Sequence, residues 1–235
     1  NSFLKGINFV EYSSKNKTLI ASLEKELIFI DFDKINDGKK AFTNKFKLNN
    51  LETDEIIVSM SYSETSNTFF LATSIGNVIL FDLETEKLLK FNNKLLNIVN
   101  ETAVEIEYYN DTVFIGTKEG SVYVYEYNKN KKLRYLRSKR ANFSQISDIL
   151  FDNNTLYTLT KNGDLTMLSY SENAVGEKKM KTPVSINFGE KNFGNAIESF
   201  TYRGIQYFVT ADSSGNLIYW DLDLENTFDR IKQLY

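Results

Sequence analysis

The chain of 235 residues contains no histidine and no cysteine, and only one proline and one tryptophan. Each gap removes a class of chemistry. Without imidazole or thiol, neither a Ser-His-Asp nor a Cys-His nucleophile can be assembled, and no His- or Cys-ligated zinc site can form. Without cysteine there is no disulfide framework. No run of 18 or more apolar residues occurs, which excludes a membrane-spanning helix. The 11 glycines are scattered and make neither a Walker phosphate loop nor a GxGxxG turn. No signal-peptide pattern opens the chain. A net charge of −3 and a pI near 5.3 provide no global basic field for nucleic acid. The expectation is a non-enzymatic protein with no cofactor and no metal, placed inside the cell in cytoplasm or nucleus. Asn-X-Ser/Thr sequons at Asn16, Asn100, Asn110, Asn142 and Asn153 do not change this, since an Asn-rich chain supplies them by chance.

What is present is a large apolar and aromatic stock, with 42% hydrophobic residues, 18 Phe and 14 Tyr. That is enough to bury a substantial core as one domain and argues against long disorder. The organising pattern is clearest in Tyr207–Asp221, two apolar strands joined by a tight turn around Gly215 and closed by Trp220-Asp221. Thr68–Asp82, Thr112–Glu126 and Thr155–Ser169 repeat it, and Thr18–Asp31 repeats it with Lys25 in the glycine position. The turn glycines Gly76, Gly120, Gly163 and Gly215 are spaced by 44, 43 and 52 residues. The slot before the closing residue is always large and apolar: Ile30, Phe81, Tyr125, Leu168 and Trp220.

Each unit also has an apolar strand upstream, at Ile7–Tyr12, Ile56–Tyr62, Val104–Tyr109, Ile146–Phe151 and Ile197–Tyr202. Downstream segments such as Ala41–Leu48, Lys87–Phe91 and Leu133–Leu136 supply a fourth. Several strands per unit at a period of about 40 to 45 residues is the mark of propeller blades. The expected fold is all-β, a β-propeller of four-stranded antiparallel blades, with about five units at roughly 1–51, 52–100, 101–142, 143–190 and 191–235. Whether five blades close a ring or form part of a larger propeller is left open. The start at Asn1 rather than methionine points to a piece of something longer. Leu95–Val99 fits a strand or a helical turn, and Asn226–Tyr235 fits a capped helix or the last unit's fourth strand.

The units resemble WD40 repeats, the propeller family whose third strand ends in Trp-Asp. Trp220-Asp221 keeps that dipeptide, with Phe81-Asp82 and Tyr125-Glu126 as near relatives. The family's Gly-His dipeptide is missing, so its His–Ser/Thr–Asp–Trp hydrogen-bond network cannot form here. The resemblance implies a non-catalytic scaffold for protein–protein interaction, a subunit of an intracellular assembly whose partners are other protein subunits.

Three sets of residues are candidates for function. Asp31 with Asp33, and Asp221 with Asp223, are carboxylate pairs spaced to share a strand face, where they could bind a hard cation or do acid–base work, but the repeat that places an acid at the end of the third strand favours a turn device. The segment from Lys129 to Arg140 holds seven basic residues (Lys129, Lys131, Lys132, Arg134, Arg137, Lys139, Arg140) and no acid. Set against a net charge of −3, it leaves the remainder at about −10. This edge either contacts RNA or DNA backbone or an acidic peptide, or uses its charge to block edge pairing. Finally, Phe143, Phe188 and Phe193 lie in the connections into units four and five, where loop aromatics can anchor a partner or plug a seam between blades.

Overall fold

The computed structural model describes residues 7–14, 17–31, 33–34, 42–49, 51–92, 96, 98, 100–128, 130–152, 154–172, 178–180, 184–187 and 194–221. Five antiparallel sheets follow one another along the chain, and each is a propeller blade. Blade 1 is β1 (Ile7–Ser13), β2 (Thr18–Leu23), β3 (Glu26–Asp31) and β4 (Phe42–Lys47). Blade 2 is β5 (Ile57–Ser63), β6 (Thr68–Thr73), β7 (Val78–Asp82) and β8 (Lys87–Phe91). Blade 3 is β9 (Ala103–Tyr109), β10 (Thr112–Thr117), β11 (Ser121–Tyr127) and β12 (Leu133–Arg140). Blade 4 contains β13 (Ile146–Asp152), β14 (Thr155–Thr160) and β15 (Asp164–Glu172), with β16 (Lys178–Met180) and β17 (Val184–Asn187) both paired to β15. Blade 5 has three strands among the described residues: β18 (Gly194–Tyr202), β19 (Ile205–Asp212) and β20 (Leu217–Asp221). Trp220-Asp221 thus closes a third strand, as the WD40 resemblance implies.

By internal contacts the chain divides into two compact units, residues 1–115 with 123–137 and residues 116–122 with 138–235.

Within the first unit the middle strands of blade 2 explain why they read as unbroken apolar runs. Side chains alternate between two faces along a strand, and here both faces are covered. Phe69, Leu71, Ile79 and Phe81 join Ile20, Leu27 and Phe29 of blade 1 in one core. Phe70, Ala72, Val78 and Leu80 join Val113, Ile115 and Tyr125 of blade 3 in another. The segment after β8 contributes Leu96 and Ile98 to that second core. Leu96 lies in a turn, its amide bonded to Asn92 O at 3.1 Å, and its carbonyl accepts from Tyr125 Oη. In the second unit Tyr157, Leu159 and Leu165 of blade 4 meet Ile197 and Phe208 of blade 5.

The first strands of successive blades are tied by side chains. In four blades the first strand slips register at its second residue, between Ile7 and Phe9, Ile57 and Ser59, Ile146 and Asp148, and Gly194 and Ala196. Such a bulge turns nearby side chains out of the ladder. Asn8 Nδ2 then donates to Ile57 O at 3.3 Å. Ser59 Oγ accepts from Ile106 N at 3.1 Å and Ser61 Oγ from Tyr108 N at 3.0 Å. In the second unit Asp148 Oδ2 accepts from Ile197 N at 2.7 Å.

The histidine network that the sequence rules out has a replacement in blade 2. Glu55, buried just before β5, accepts at Oε1 from Thr73 Oγ1 and Asn77 Nδ2, both at 2.7 Å. Its Oε2 accepts from Lys90 Nζ at 2.7 Å and from Glu52 N at 2.9 Å. One carboxylate therefore joins the entry loop, the second strand, the hairpin turn and the fourth strand. In blade 1 the hairpin between β2 and β3 is only Glu24-Lys25, and the positive φ falls on Glu24 (51°) rather than on Lys25. Lys25 instead reaches the loop of the next blade, donating to the carbonyls of Glu52 and Thr53.

The 52-residue step between the last two glycines is filled by blade 4's outer edge. β16 pairs with Tyr170–Glu172 and β17 with Asp164–Met167, so two short strands lie end to end along β15.

Two predictions follow from these contacts. Gly120 has φ +91°, and a Cβ there would meet Asn142 O at 2.4 Å and Ser144 O at 2.7 Å. Gly215 has φ +82° with nothing within 4 Å. In urea unfolding Gly215→Ala should cost about 1–2 kcal/mol, the left-handed backbone penalty alone, and Gly120→Ala clearly more; equal losses would refute the steric account.

The second concerns pH. Burial pushes the Glu55 carboxyl up, but hydrogen bonds from Asn77, Lys90, the Glu52 amide and Thr73 outweigh it and bring it from 4.5 down to about 2. Burial pushes Asp148 from 3.8 up to about 7, only partly offset by the Ile197 and Ile149 amides. A depressed carboxyl stabilises the fold above its unfolded value, so the Glu55 contribution is lost as pH falls from about 4.5 toward 2. A raised carboxyl acts in the opposite sense: the Asp148 contribution falls as pH rises from 3.8 to about 7. Hydrogen exchange, corrected for intrinsic rates, should show β6 losing protection on acidification and β18 losing it as pH approaches 7. Glu55→Gln and Asp148→Asn should each flatten only their own trend.

Candidate functional site

At the ends of the strands where entry loops meet the second-to-third-strand turns, blades 2 and 4 present apolar side chains to solvent. In blade 4's entry loop Phe143 is 89% exposed. It is not loose: its amide bonds to Asn142 Oδ1 at 2.6 Å, and the Arg140 guanidinium lies 5.5 Å from its ring centroid. Arg140 is itself fixed through Nη1 to Glu119 O at 2.9 Å. An exposed ring held by its neighbours can bury area at little entropic cost, which suits an anchor residue. Phe188 and Phe193 lie outside the described residues.

Blade 2 offers a second apolar pair. Ile75 is 45% exposed and Ile56 37% exposed. Ser74 N donates to Ile56 O at 2.9 Å and Ile56 N to Ser74 Oγ at 3.2 Å, which locks turn and loop side by side. The sequence contained the signal. The residue before the turn glycine is Ile75 in blade 2 but Glu119, Asn162 and Ser214 in blades 3, 4 and 5. An isoleucine in a slot otherwise polar is the departure that marks this pair.

The basic segment is less basic than its composition. Lys131 Nζ is bonded to Asp82 Oδ2, and each holds the other charged: the lysine is raised by that hydrogen bond, and Asp82 is lowered by Lys131 and Thr85 despite its burial. Arg134 Nε pairs with Glu126 Oε2 at 2.8 Å, and that bond raises the guanidinium further. Alternation along β12 puts Arg134 on one face and Arg137 on the other, where Tyr135 packs on Tyr123 and Tyr125. Arg137 is half-buried and Lys132 is exposed. Lys129 lies outside the described residues. The sheet thus scatters the charges that the sequence lists together.

The carboxylate pairs also resolve into turn chemistry where they are described. Asp31 Oδ1 accepts from the amides of Asp33 and Lys34 at 3.1 and 3.2 Å, and Oδ2 pairs with Lys34. These bonds lower Asp31, with the Lys34 side chain the largest influence. Asp33 turns away to Lys17 at 3.3 Å. Asp82 repeats the pattern in blade 2, accepting from Glu84 N and Thr85 Oγ1. Asp223 and the side chain of Asp221 are outside the described residues.

No protein-family model matches the chain. Among curated proteins it is similar to U3 small nucleolar RNA-associated protein 21 of Saccharomyces cerevisiae, with 23% identity over 201 residues. These residues are 85% of this chain but only 20% of the yeast protein, so the chain spans about a fifth of that relative's length. Among solved structures it is similar to the crystal structure of the computationally designed Ika4 protein, with a TM-score of 0.52 and 16% identity, covering 71% of this chain and 91% of that one. At that identity the likeness bears on fold alone.

The segment yields one stability prediction. Lys131→Glu would set a carboxylate against the nearly buried Asp82 and should cost about 2 kcal/mol in chemical denaturation, as for a lost charged hydrogen bond. Lys132→Glu should stay within about 0.5 kcal/mol, the usual range for a surface change. A Lys131→Glu protein as stable as the parent would show that the pair is ornamental.

Proposed function

We propose that this divergent WD40-like β-propeller is a non-catalytic scaffold for protein–protein interaction, a subunit of an intracellular multiprotein assembly in cytoplasm or nucleus. The observation that carries the reading is Phe143, a large ring held in solvent by Asn142 and Arg140. Blades buried on both faces make stiff supports, and their connecting loops are then free to vary in sequence without loss of the core. Ile56 and Ile75 offer a similar contact on blade 2. Phe188 and Phe193 are proposed as further anchors on sequence grounds. The likeness to a protein named for its association with a small nucleolar RNA supports membership of an assembly of that general kind. It also keeps a second reading in view, in which the segment from Lys129 to Arg140 contacts nucleic acid. Against that reading stand the carboxylate partners of Lys131 and Arg134.

Affinity capture from extract, with and without nuclease, separates the two. Partners should survive nuclease, be indifferent to a Lys132→Glu/Lys139→Glu double variant, and fall at least about tenfold in recovery with Phe143→Ala, as for a hot-spot ring. Partners lost to nuclease and to the double variant, but kept by Phe143→Ala, would reverse the reading.

A further inference from the structure

The entry loop that carries Phe143 is held between two turns of the second unit. On one side Ala141 N and Asn142 N both donate to Gly120 O, at 2.9 and 3.0 Å, which ties the loop to the 117–120 turn. On the other, Lys161 N donates to Gln145 O at 2.9 Å, which ties it to the 160–163 turn. The two turns are built alike. In each the glycine amide bonds back to the threonine carbonyl, Gly120 N to Thr117 O at 3.2 Å and Gly163 N to Thr160 O at 2.9 Å. Both glycines have positive φ, 91° and 81°. Each threonine hydroxyl accepts from the amide after the glycine, Ser121 N at 2.9 Å and Asp164 N at 3.1 Å.

One corner of these matched turns sets them apart from the rest of the repeat. Two residues before the turn glycine stand Lys118 in blade 3 and Lys161 in blade 4, but Ser74 in blade 2 and Ser213 in blade 5. Both lysines are exposed, and neither has a carboxylate partner among the described residues. Arg140 lies over the Phe143 ring itself, steadied by Glu119 O. The loop that bears the exposed ring is thus flanked by a cation on each side, with a third over the ring. The acids of the same two turns, Glu119 and Asp164, are half-buried, and Asp164 Oδ2 accepts from Thr160 Oγ1 at 3.5 Å.

We propose that this end of the second unit binds an acidic segment of a partner protein, which sets a large apolar residue against Phe143 and carboxylates against Lys118 and Lys161. The proposal rests on the reading of Phe143 as an anchor and names the chemistry of what it anchors. A ring with cations on both sides is complemented by an apolar residue with carboxylates on both sides, and an aromatic residue adds a ring-to-ring contact. Nucleic acid asks for something else: a basic groove that follows its backbone and successive rings for successive bases. Here one ring stands alone, the lysines come one to a turn, and Glu119 and Asp164 interrupt any track between them. A peptide can place its carboxylates singly.

The test uses the purified chain, labelled with ¹⁵N, and the synthetic peptide acetyl-Asp-Glu-Phe-Glu-Asp-amide. Saturable shifts should fall at 117–121, 140–145 and 160–164. The neutral peptide acetyl-Asn-Gln-Phe-Gln-Asn-amide should bind at least about tenfold more weakly, since charge complementarity is removed and shape is kept. Lys118→Ser/Lys161→Ser installs the residue that blades 2 and 5 carry at this corner. It should weaken the acidic peptide by about tenfold or more, with the neutral peptide's binding and the rest of the spectrum unchanged. Equal binding of the two peptides, with both lost in Phe143→Ala, would overturn the proposal and leave the anchor reading standing. Binding indifferent to Phe143→Ala would overturn both. No saturable shift at millimolar acidic peptide, or saturable shifts at these residues with oligouridylate in its place, would also overturn the proposal.

Discussion

The structure depends on how one blade's first strand is held to the next. A blade's first strand pairs with its own second strand on one side only, so its other edge carries backbone N–H groups that need acceptors. In this protein the acceptors are short side chains on the preceding first strand: Ser59 for Ile106, Ser61 for Tyr108, Asp148 for Ile197. An unmet buried amide costs about 1–3 kcal/mol, more than a made one contributes. The seam is therefore fixed in register as well as in distance. The bulge at the second residue of the strand makes this possible, because without it those side chains would follow the ladder's own alternation.

Burying carboxylates at these joints carries a charge cost that the two units meet differently. Glu55 is surrounded by four donors, Lys90 among them, and stays strongly acidic. Asp148 has two backbone amides and the added repulsion of Glu198, and burial dominates. The difference is one of hydrogen-bond supply, since a carboxylate needs several donors to offset lost hydration.

In blade 2 the cores use both faces of each middle strand, which leaves little of that blade's surface for recognition. The proposed contact with other proteins falls to turns and entry loops, where repeat positions are interchangeable in backbone but not in side chain. Ile75 in place of a polar turn residue, Phe143 in an entry loop and the short Asn110-Asp111 turn are three such substitutions. Each alters what a blade end offers without touching its core.

Much of this was determined by the sequence itself. Glycine spacing and the large apolar residue before each closing position set the number of units and the middle hairpins, because strand pairing in a tight hairpin is a local matter of alternation and turn type. Lys87–Phe91 stands as the strand its pattern predicts. The missing histidine correctly excluded the usual network, but nothing local announced that Glu55 would replace it, since its donors come from positions 52, 73, 77 and 90. The basic segment shows the same limit in reverse. Seven charges close in sequence look like one patch, yet β12 alternates Arg134, Arg137, Lys139 and Arg140 between two faces, and Asp82, distant in sequence, neutralises Lys131. Local pattern fixes what depends on neighbours along the chain. Which carboxylate meets which lysine depends on blades brought together through space, and only the tertiary structure decides it.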